Sequence, residues 1–433
     1  MLNTIVPIVI FIVILGIVIF VHELGHYLAA VKAGIFVEEF ALGMGPVLYS
    51  FHGKRKSLHG KPKKADKNES DNDSSEIDNK YGMADENDIT DEYGIVDENN
   101  ITDESNTIDE DDTIDEDEGE YTLYSLRAFP LGGFCKMRGQ DEDVPDDPEA
   151  MNNKSVLARI IVIAGGSFMN FLLAFILFFT LVMLRGFPVA EVWALAQDMP
   201  GYQAGLMVRD RITHINGTRV NLYEDFMFMM DVTGGQELNV RVNRGGQRYN
   251  FNITPVLGPN GYLIGFAPGR RFGILHTRPE NPEILPGILF QRVRVPEGML
   301  TSAEMIIFHI RAPFRLLARF VAGQTMPEGG GVVGFIGIGG MVTEIYQEVI
   351  VYGILDTLLT MILFTALLSA MLGIMNLLPI PALDGARLIF LFIEGIRRKP
   401  VAPEKEAMVH FVGIVSLILL AVFVAYRDIL RLL

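Results

Sequence analysis

Four long apolar stretches constrain this chain more than any other feature. Residues 4–21 carry no charge, 160–184 and 357–383 are uncharged throughout, and 408–425 hold His410 as their one titratable group. Crossing a bilayer core of about 30 Å takes roughly 20 helical residues. A backbone in hydrocarbon must satisfy its own hydrogen bonds, which a helix does. The stretches therefore read as four transmembrane helices of a polytopic α-helical membrane protein. A mean hydropathy of +0.29 over 433 residues agrees, since it is hard to reconcile with a fully water-soluble arrangement. The first stretch lacks a basic leader and a small-residue cleavage site and runs directly into His22-Glu23, so it is expected to stay as a span rather than be removed as a signal peptide.

Basic residues near span ends set the orientation, because short loops rich in Lys and Arg stay cytoplasmic. Lys32, Lys54, Arg55 and Lys56 follow the first span, Lys154 and Arg159 precede the second, and Arg397, Arg398 and Lys399 separate the third from the fourth. Those loops are expected in the cytoplasm, with both termini and residues 185–352 outside, although Arg427 and Arg431 reduce the asymmetry. The net charge of -17 is a local property: residues 61–120 carry 24 acidic side chains against five lysines. With near-repeats such as Asp88-Ile-Thr-Asp-Glu92 and Asn100-Ile-Thr-Asp-Glu104, residues 54–120 have too few apolar groups to offset the entropy of ordering, and read as a disordered acidic insert. One cysteine, Cys135, excludes an intramolecular disulfide framework and Cys-rich zinc or iron–sulfur clusters. Any metal site must use His and carboxylate.

Residues 186–271 look like a small soluble α+β domain. Apolar residues alternate at Leu238, Val240, Val242 and at Tyr249, Phe251, Ile253, predicting two strands joined by the Arg244-Gly245-Gly246 turn, with a short helix over 223–231. The elements Ala204-Gly-Leu206, Asp210-Arg-Ile212 and Ile215-Asn-Gly217 resemble, in order and spacing, the PDZ core found in bacterial membrane and envelope proteases. PDZ domains hold extended peptides by strand addition.

The sharpest local pattern closes the first span: His22-Glu23-Leu24-Gly25-His26. Helical positions four apart share a face, so both imidazoles can reach one metal ion, and Glu23 can take a proton from water activated by it. The bland alternative is an interfacial helix end where His and Glu touch water. A catalytic zinc needs a third protein ligand and an open position. Asp384 is the candidate, as the one acid between Thr357 and Phe390, in Asn376-Leu-Leu-Pro-Ile-Pro-Ala-Leu-Asp-Gly385. Two prolines preclude an unbroken helix there, and irregular backbone at membrane depth lines a cavity or is buried in protein. The competing reading makes Asp384 a helix cap in an ordinary loop after a span ending near Leu378.

Together these patterns resemble the site-2 proteases, intramembrane zinc metalloproteases of the bacterial type with a single PDZ domain (peptidase family M50). Both family motifs, His-Glu-x-x-His and Asn-x-x-Pro-x-Pro-x-Leu-Asp-Gly, stand intact, and the likeness covers most of the chain apart from the acidic insert. The resemblance implies one zinc ion bound by His22, His26 and Asp384, Glu23 as general base, and Asn376 positioning the substrate backbone or its oxyanion. It also implies that Phe129-Pro-Leu-Gly-Gly-Phe-Cys-Lys-Met137 belongs to a membrane-associated β-hairpin whose edge, at Gly132, Gly133, Phe134, Cys135 and Lys136, receives substrate as an added strand. Gly165-Gly-Ser-Phe-Met-Asn170 departs from the family's usual Gly-Pro; small residues there allow close helix packing, and Asn170 can hydrogen-bond a neighbour without being assigned a catalytic role.

The expected organisation is then a first transmembrane helix with the zinc motif and a following loop (1–53), the insert (54–120), the hairpin (121–140), a second span (154–185), an extracytoplasmic PDZ domain (186–271), an amphipathic helix with a Gly-rich connector (272–352), a third span carrying the Asn/Asp motif (353–396) and a fourth (405–433). In the connector, Arg311, Arg315 and Arg319 form one basic face, suggesting a helix lying on the membrane surface. The implied activity is cleavage, inside the cell membrane and toward its cytoplasmic side, of single-span proteins already trimmed outside by a site-1-type protease. Anti-sigma factors or remnant signal peptides are examples of such substrates. Peptide carboxyl termini are expected at the PDZ domain, and no nucleic acid among the partners. Two rivals stand beside this reading. A transporter would also place ionisable groups beside a Pro-broken span, but four spans without an inverted repeat and a metal-and-base triad speak against it. A catalytically dead peptide-binding scaffold would not need Glu23.

Overall fold

The computed structural model describes residues 2–54, 121–140, 142, 144–259, 261–275, 291–321 and 334–432. Except for Lys54, the acidic insert lies outside the described residues, which all belong to one compact unit, Met1–Lys54 with Tyr121–Leu433. Its helices are α1 (Leu2–Ala33), α2 (Val156–Arg185), α3 (Pro200–Gln203), α4 (Tyr223–Thr233), α5 (Val295–Val321), α6 (Phe335–Ile350), α7 (Ile354–Leu377), α8 (Asp384–Arg397) and α9 (Pro403–Leu432). Its strands are β1 (Val37–Lys54), β2 (Tyr121–Met137), β3 (Gly186–Leu195), β4 (Arg211–Ile215), β5 (Thr218–Arg219), β6 (Leu238–Arg244), β7 (Gln247–Ile253), β8 (Val256–Gly258), β9 (Gly261–Leu263) and β10 (Phe266–Phe272).

Among the described residues four helices, α1, α2, α7 and α9, are long and apolar enough to cross a membrane. Helix α2 begins where Ser155 caps it, its hydroxyl accepting from the Ala158 N–H at 3.3 Å, an arrangement that satisfies one orphan donor of the first turn. It packs against α1 on one side and α7 on another. Glycines permit the first of these contacts: a Cβ on Gly25 of α1 would strike the carbonyl of Gly165 on α2, so the two backbones meet without side chains between them.

The third of these helices is shorter than hydropathy predicts. The apolar run continues to Leu383, but α7 stops at Leu377, because Pro379 removes a donor and pushes Leu378 into an extended conformation, φ -65° and ψ 146°. The chain re-enters helix at Asp384, so the segment expected as one span over 353–396 holds two helices. Among its described residues the connector over 272–352 likewise holds two. Residues 329–333 of its Gly-rich run lie outside the described residues, and from Phe335 the run is helical as α6. Helix α5 seats Met305 and Ile306 against Ala174 and Phe178 of α2 and Ala366 and Ala370 of α7. Arg315, expected to face a membrane surface, instead puts Nη1 3.4 Å from Asp225 Oδ1 and its guanidinium over the Phe228 ring of α4.

Of the segment expected as a hairpin over 121–140, residues Tyr121–Met137 form β2, whose partner strand among the described residues is β1. Residues 37–53, expected as a loop, form β1 together with Lys54 of the expected insert, and β1 pairs antiparallel with β2 across the insert. Both strands bend, so that Glu39 stands opposite Leu123 and also opposite Lys136, and the 39–42 stretch runs between 123–126 and 133–136.

The segment over 186–272 folds as a sheet of order β10-β3-β4-β6-β7, with β5 on β4, around Ile212, Ile215, Leu238, Val240, Val242 and Met230. Strands β6 and β7 meet where predicted, Arg244 opposite Gln247, and their turn needs two left-handed residues, which Gly245 (φ 61°) and Gly246 (φ 93°) supply. Arg244 spans Asp210, a fully buried carboxylate, with contacts of 2.6 and 2.7 Å, so the buried charge is paired by a two-pronged donor.

Candidate active site

The His-Glu-x-x-His motif falls inside α1, two turns before its end, rather than at a frayed terminus. The i, i+4 spacing sets the two imidazoles on the face that meets α2, with ring centroids 4.8 Å apart. Both rings are buried. His26 is fixed from behind, its Nδ1 3.0 Å from the carbonyl of Val162, and His22 has its Nδ1 3.2 Å from Nδ2 of Asn170. These contacts direct both Nε2 atoms to one point.

Asp384 reaches the same point from the far end of the sequence. As the first residue of α8 it is positioned by the short Pro-Ile-Pro-Ala-Leu connection, which α9 holds: His410 Nδ1 accepts from the Ala382 N–H at 3.2 Å, and a Cβ on Gly413 would strike Pro381. Its Oδ2 lies 3.2 Å from His22 Nε2 and 3.2 Å from His26 Nε2, and the two Nε2 atoms are also 3.2 Å apart. Donors of a tetrahedral zinc at 2.0–2.1 Å stand about 3.3 Å from one another. The three atoms thus match the spacing of one face of such a tetrahedron, and the three residues line a cavity of about 470 Å³. Two neutral imidazoles and a carboxylate are a donor set suited to zinc.

Glu23, Asn376, Gly132, Gly133, Phe134 and Cys135 line that cavity together with the three candidate ligands. Asn376, in the last turn of α7, brings Nδ2 to 3.1 Å from His22 Nε2. A Cβ on Gly133 would come within 3.1 Å of Glu23 Cγ, so the motif's carboxylate-bearing side chain runs against the backbone of β2. Residues 133–136 pair with 39–42 on one side, and among the described residues no strand pairs with their other edge. Lys136 does not line the cavity; its side chain is exposed, with Nζ 2.8 Å from Glu38 Oε2. Sequence reasoning left His410 and Asn170 without roles at the site. The signal for Asn170 was the one amide in the uncharged run 160–184, and for His410 the one titratable group in 408–425.

The model of peptidase family M50 matches residues 10–59 and 112–420 of the chain. The regulator of sigma-W protease RasP of Bacillus subtilis is 30% identical over 447 residues, covering 98% of this chain and 98% of its own. Zinc metalloprotease RasP of Bacillus licheniformis is 30% identical over 451 residues and covers 100% of both chains. Its namesake from Oceanobacillus iheyensis is 28% identical, covering 98% and 99%. Among solved structures, the PDZ domain of an SdrC-like protein from Listeria monocytogenes aligns with 18% of this chain and 84% of its own, at 20% identity and a TM-score of 0.17, a score too low to bear on the fold.

Proposed function

The chain belongs to peptidase family M50, as a zinc metalloprotease of the site-2 type, and from that premise we propose that it cuts single-span membrane proteins within their apolar segments. The observation that carries this reading is the triangle of His22, His26 and Asp384 donors, 3.2 Å on each side, in residues that line one cavity with Gly132, Gly133, Phe134 and Cys135 of β2. Bound by those three residues, zinc supplies a Lewis acid that polarises a carbonyl oxygen and acidifies water. Glu23 accepts the proton of the attacking water and passes it to the nitrogen of the departing amine. Asn376 donates from Nδ2 to the carbonyl oxygen as negative charge develops there. The 133–136 edge takes the substrate backbone as an added strand, which turns a helical segment into an extended one and exposes its carbonyl. The basic residues Lys32, Lys154, Arg397, Arg398 and Lys399 support a site toward the cytoplasmic side.

By likeness to a relative named for regulating sigma-W, membrane-anchored regulators of sigma factors are a substrate class, with remnant signal peptides a second. The purified protein, given single-span peptides, is expected to cut inside the apolar segment, to stop on chelation and to resume when zinc is restored. Cleavage indifferent to the chelator would overturn the reading.

The sheet domain over 186–272 serves, in the same proposal, as an extracytoplasmic PDZ gate that binds the carboxyl terminus exposed when a site-1-type protease trims the substrate. The topology makes a clean test available, because Gly186 stands opposite Phe272 and the domain leaves and rejoins the membrane part at neighbouring points. Deleting 187–271 is expected to raise cleavage of untrimmed relative to trimmed substrate. An unchanged ratio would remove the gate from the proposal.

A further inference from the structure

Asn170 stands in the middle of α2, fully buried, in a helix whose other buried residues are mostly apolar. Its Nδ2 lies 3.2 Å from His22 Nδ1, and its Oδ1 has no hydrogen-bond partner among the described residues. The protonation pattern of His22 as a ligand decides what this contact must be. Nε2 is the atom that faces His26 and Asp384, so Nε2 must offer its lone pair and Nδ1 must carry the hydrogen. A ring N–H then points at an amide N–H₂, two donors face each other, and a buried acceptor is left over on the same amide. A half-turn of the amide about its Cβ–Cγ bond exchanges oxygen and nitrogen and resolves the mismatch, because the two orientations occupy the same space.

We propose that Asn170 is a positioning residue for His22: its amide oxygen accepts the Nδ1–H of that ring and holds the tautomer that presents Nε2 to the metal. This assignment rests on the ligand set proposed above. It gives His22 what His26 has already, since His26 Nδ1 is 3.0 Å from the Val162 carbonyl, so each imidazole is backed by an oxygen acceptor from α2. Ligand histidines generally donate their second nitrogen in this way, and losing the acceptor costs about 10–100-fold in metal affinity. The backbone at Asn170 is held independently, its carbonyl accepting from Ser369 Oγ at 2.8 Å, so substitutions of the side chain leave the α2–α7 contact in place.

The test measures zinc affinity of the full-length, detergent-solubilised protein by competition with a chromophoric chelator, with no substrate present. Asn170→Ala is expected to bind zinc 10–100-fold more weakly than wild type. Asn170→Asp keeps an acceptor and discards the donor, and is expected to bind at least as tightly as wild type. A packing role would lower thermal stability in both variants while leaving zinc affinity alone, and that result overturns the proposal. So does an Asp variant that binds weakly, which also decides the matter if the Ala variant fails to accumulate. His22→Ala is the control: if it keeps its zinc, the ligand set itself is wrong, whereas its loss beside an unaffected Asn170→Ala sinks only the role of Asn170.

Discussion

Glu23→Gln is expected to leave zinc binding intact and to slow cleavage by about 10²–10⁴-fold, the range that a positioned general acid–base supplies. The substitution preserves length and shape and removes the ability to take a proton. None of the three candidate ligand atoms belongs to Glu23, so the metal should remain at wild-type stoichiometry. What changes is the group lying between the two imidazoles in sequence and against Gly133 in space, on the side where the strand edge would hold a peptide. Cleavage rate on a single-span peptide, measured beside zinc content, separates this outcome from simple loss of the metal. A variant that cuts at the wild-type rate would take the proton-transfer role away from Glu23.

The three candidate metal ligands could be picked out because their spacing is local or chemically isolated, and the fold brings them together. His22 and His26 share a helix face by arithmetic alone, and Asp384 stood out as a lone acid in an uncharged run broken by Pro379 and Pro381. Those same prolines mark the end of α7, yet a hydropathy window runs through them, since Leu378, Ile380 and Leu383 are as apolar as the helix before them. Strand β1 was illegible for a different reason. Its partner begins at Tyr121, beyond the acidic insert, and the pairing of Glu39 with both Leu123 and Lys136 depends on bends in both strands that no local pattern encodes. Arg315 belongs to the same class: an arginine on a helical face has the same sequence signature whether it meets lipid headgroups or, as here, Asp225 of a neighbouring helix. What periodicity reports is which face a helix presents; what it meets is set by non-local packing.

Gly166→Ala tests the packing that aims the candidate ligands, and it should do so with the opposite sign to the usual rule. In a helix interior, Gly→Ala ordinarily stabilises by about 0.5–1 kcal/mol. At Gly166 the added Cβ would stand 2.6 Å from His22 Cε1 and 2.8 Å from His22 Nε2, and closer still to His26 Nε2. These are ring atoms, one ring backed by Val162 and the other by Asn170, so neither can swing aside without giving up the contact that orients it. Either the rings turn away from Asp384 or α2 backs off α1, and both widen a triangle that fits zinc at 3.2 Å. A displacement of about 1 Å at a reacting centre can cost on the order of 10²-fold in rate. Zinc content after dialysis against a weak chelator and cleavage of a single-span peptide should therefore both fall, although no ligand has been altered. Gly16→Ala, on α1 with nothing within 4 Å of the new methyl, supplies the matched control and should change neither. If Gly166→Ala behaved like Gly16→Ala, α2 could not be the wall that holds the two imidazoles at their metal-binding separation.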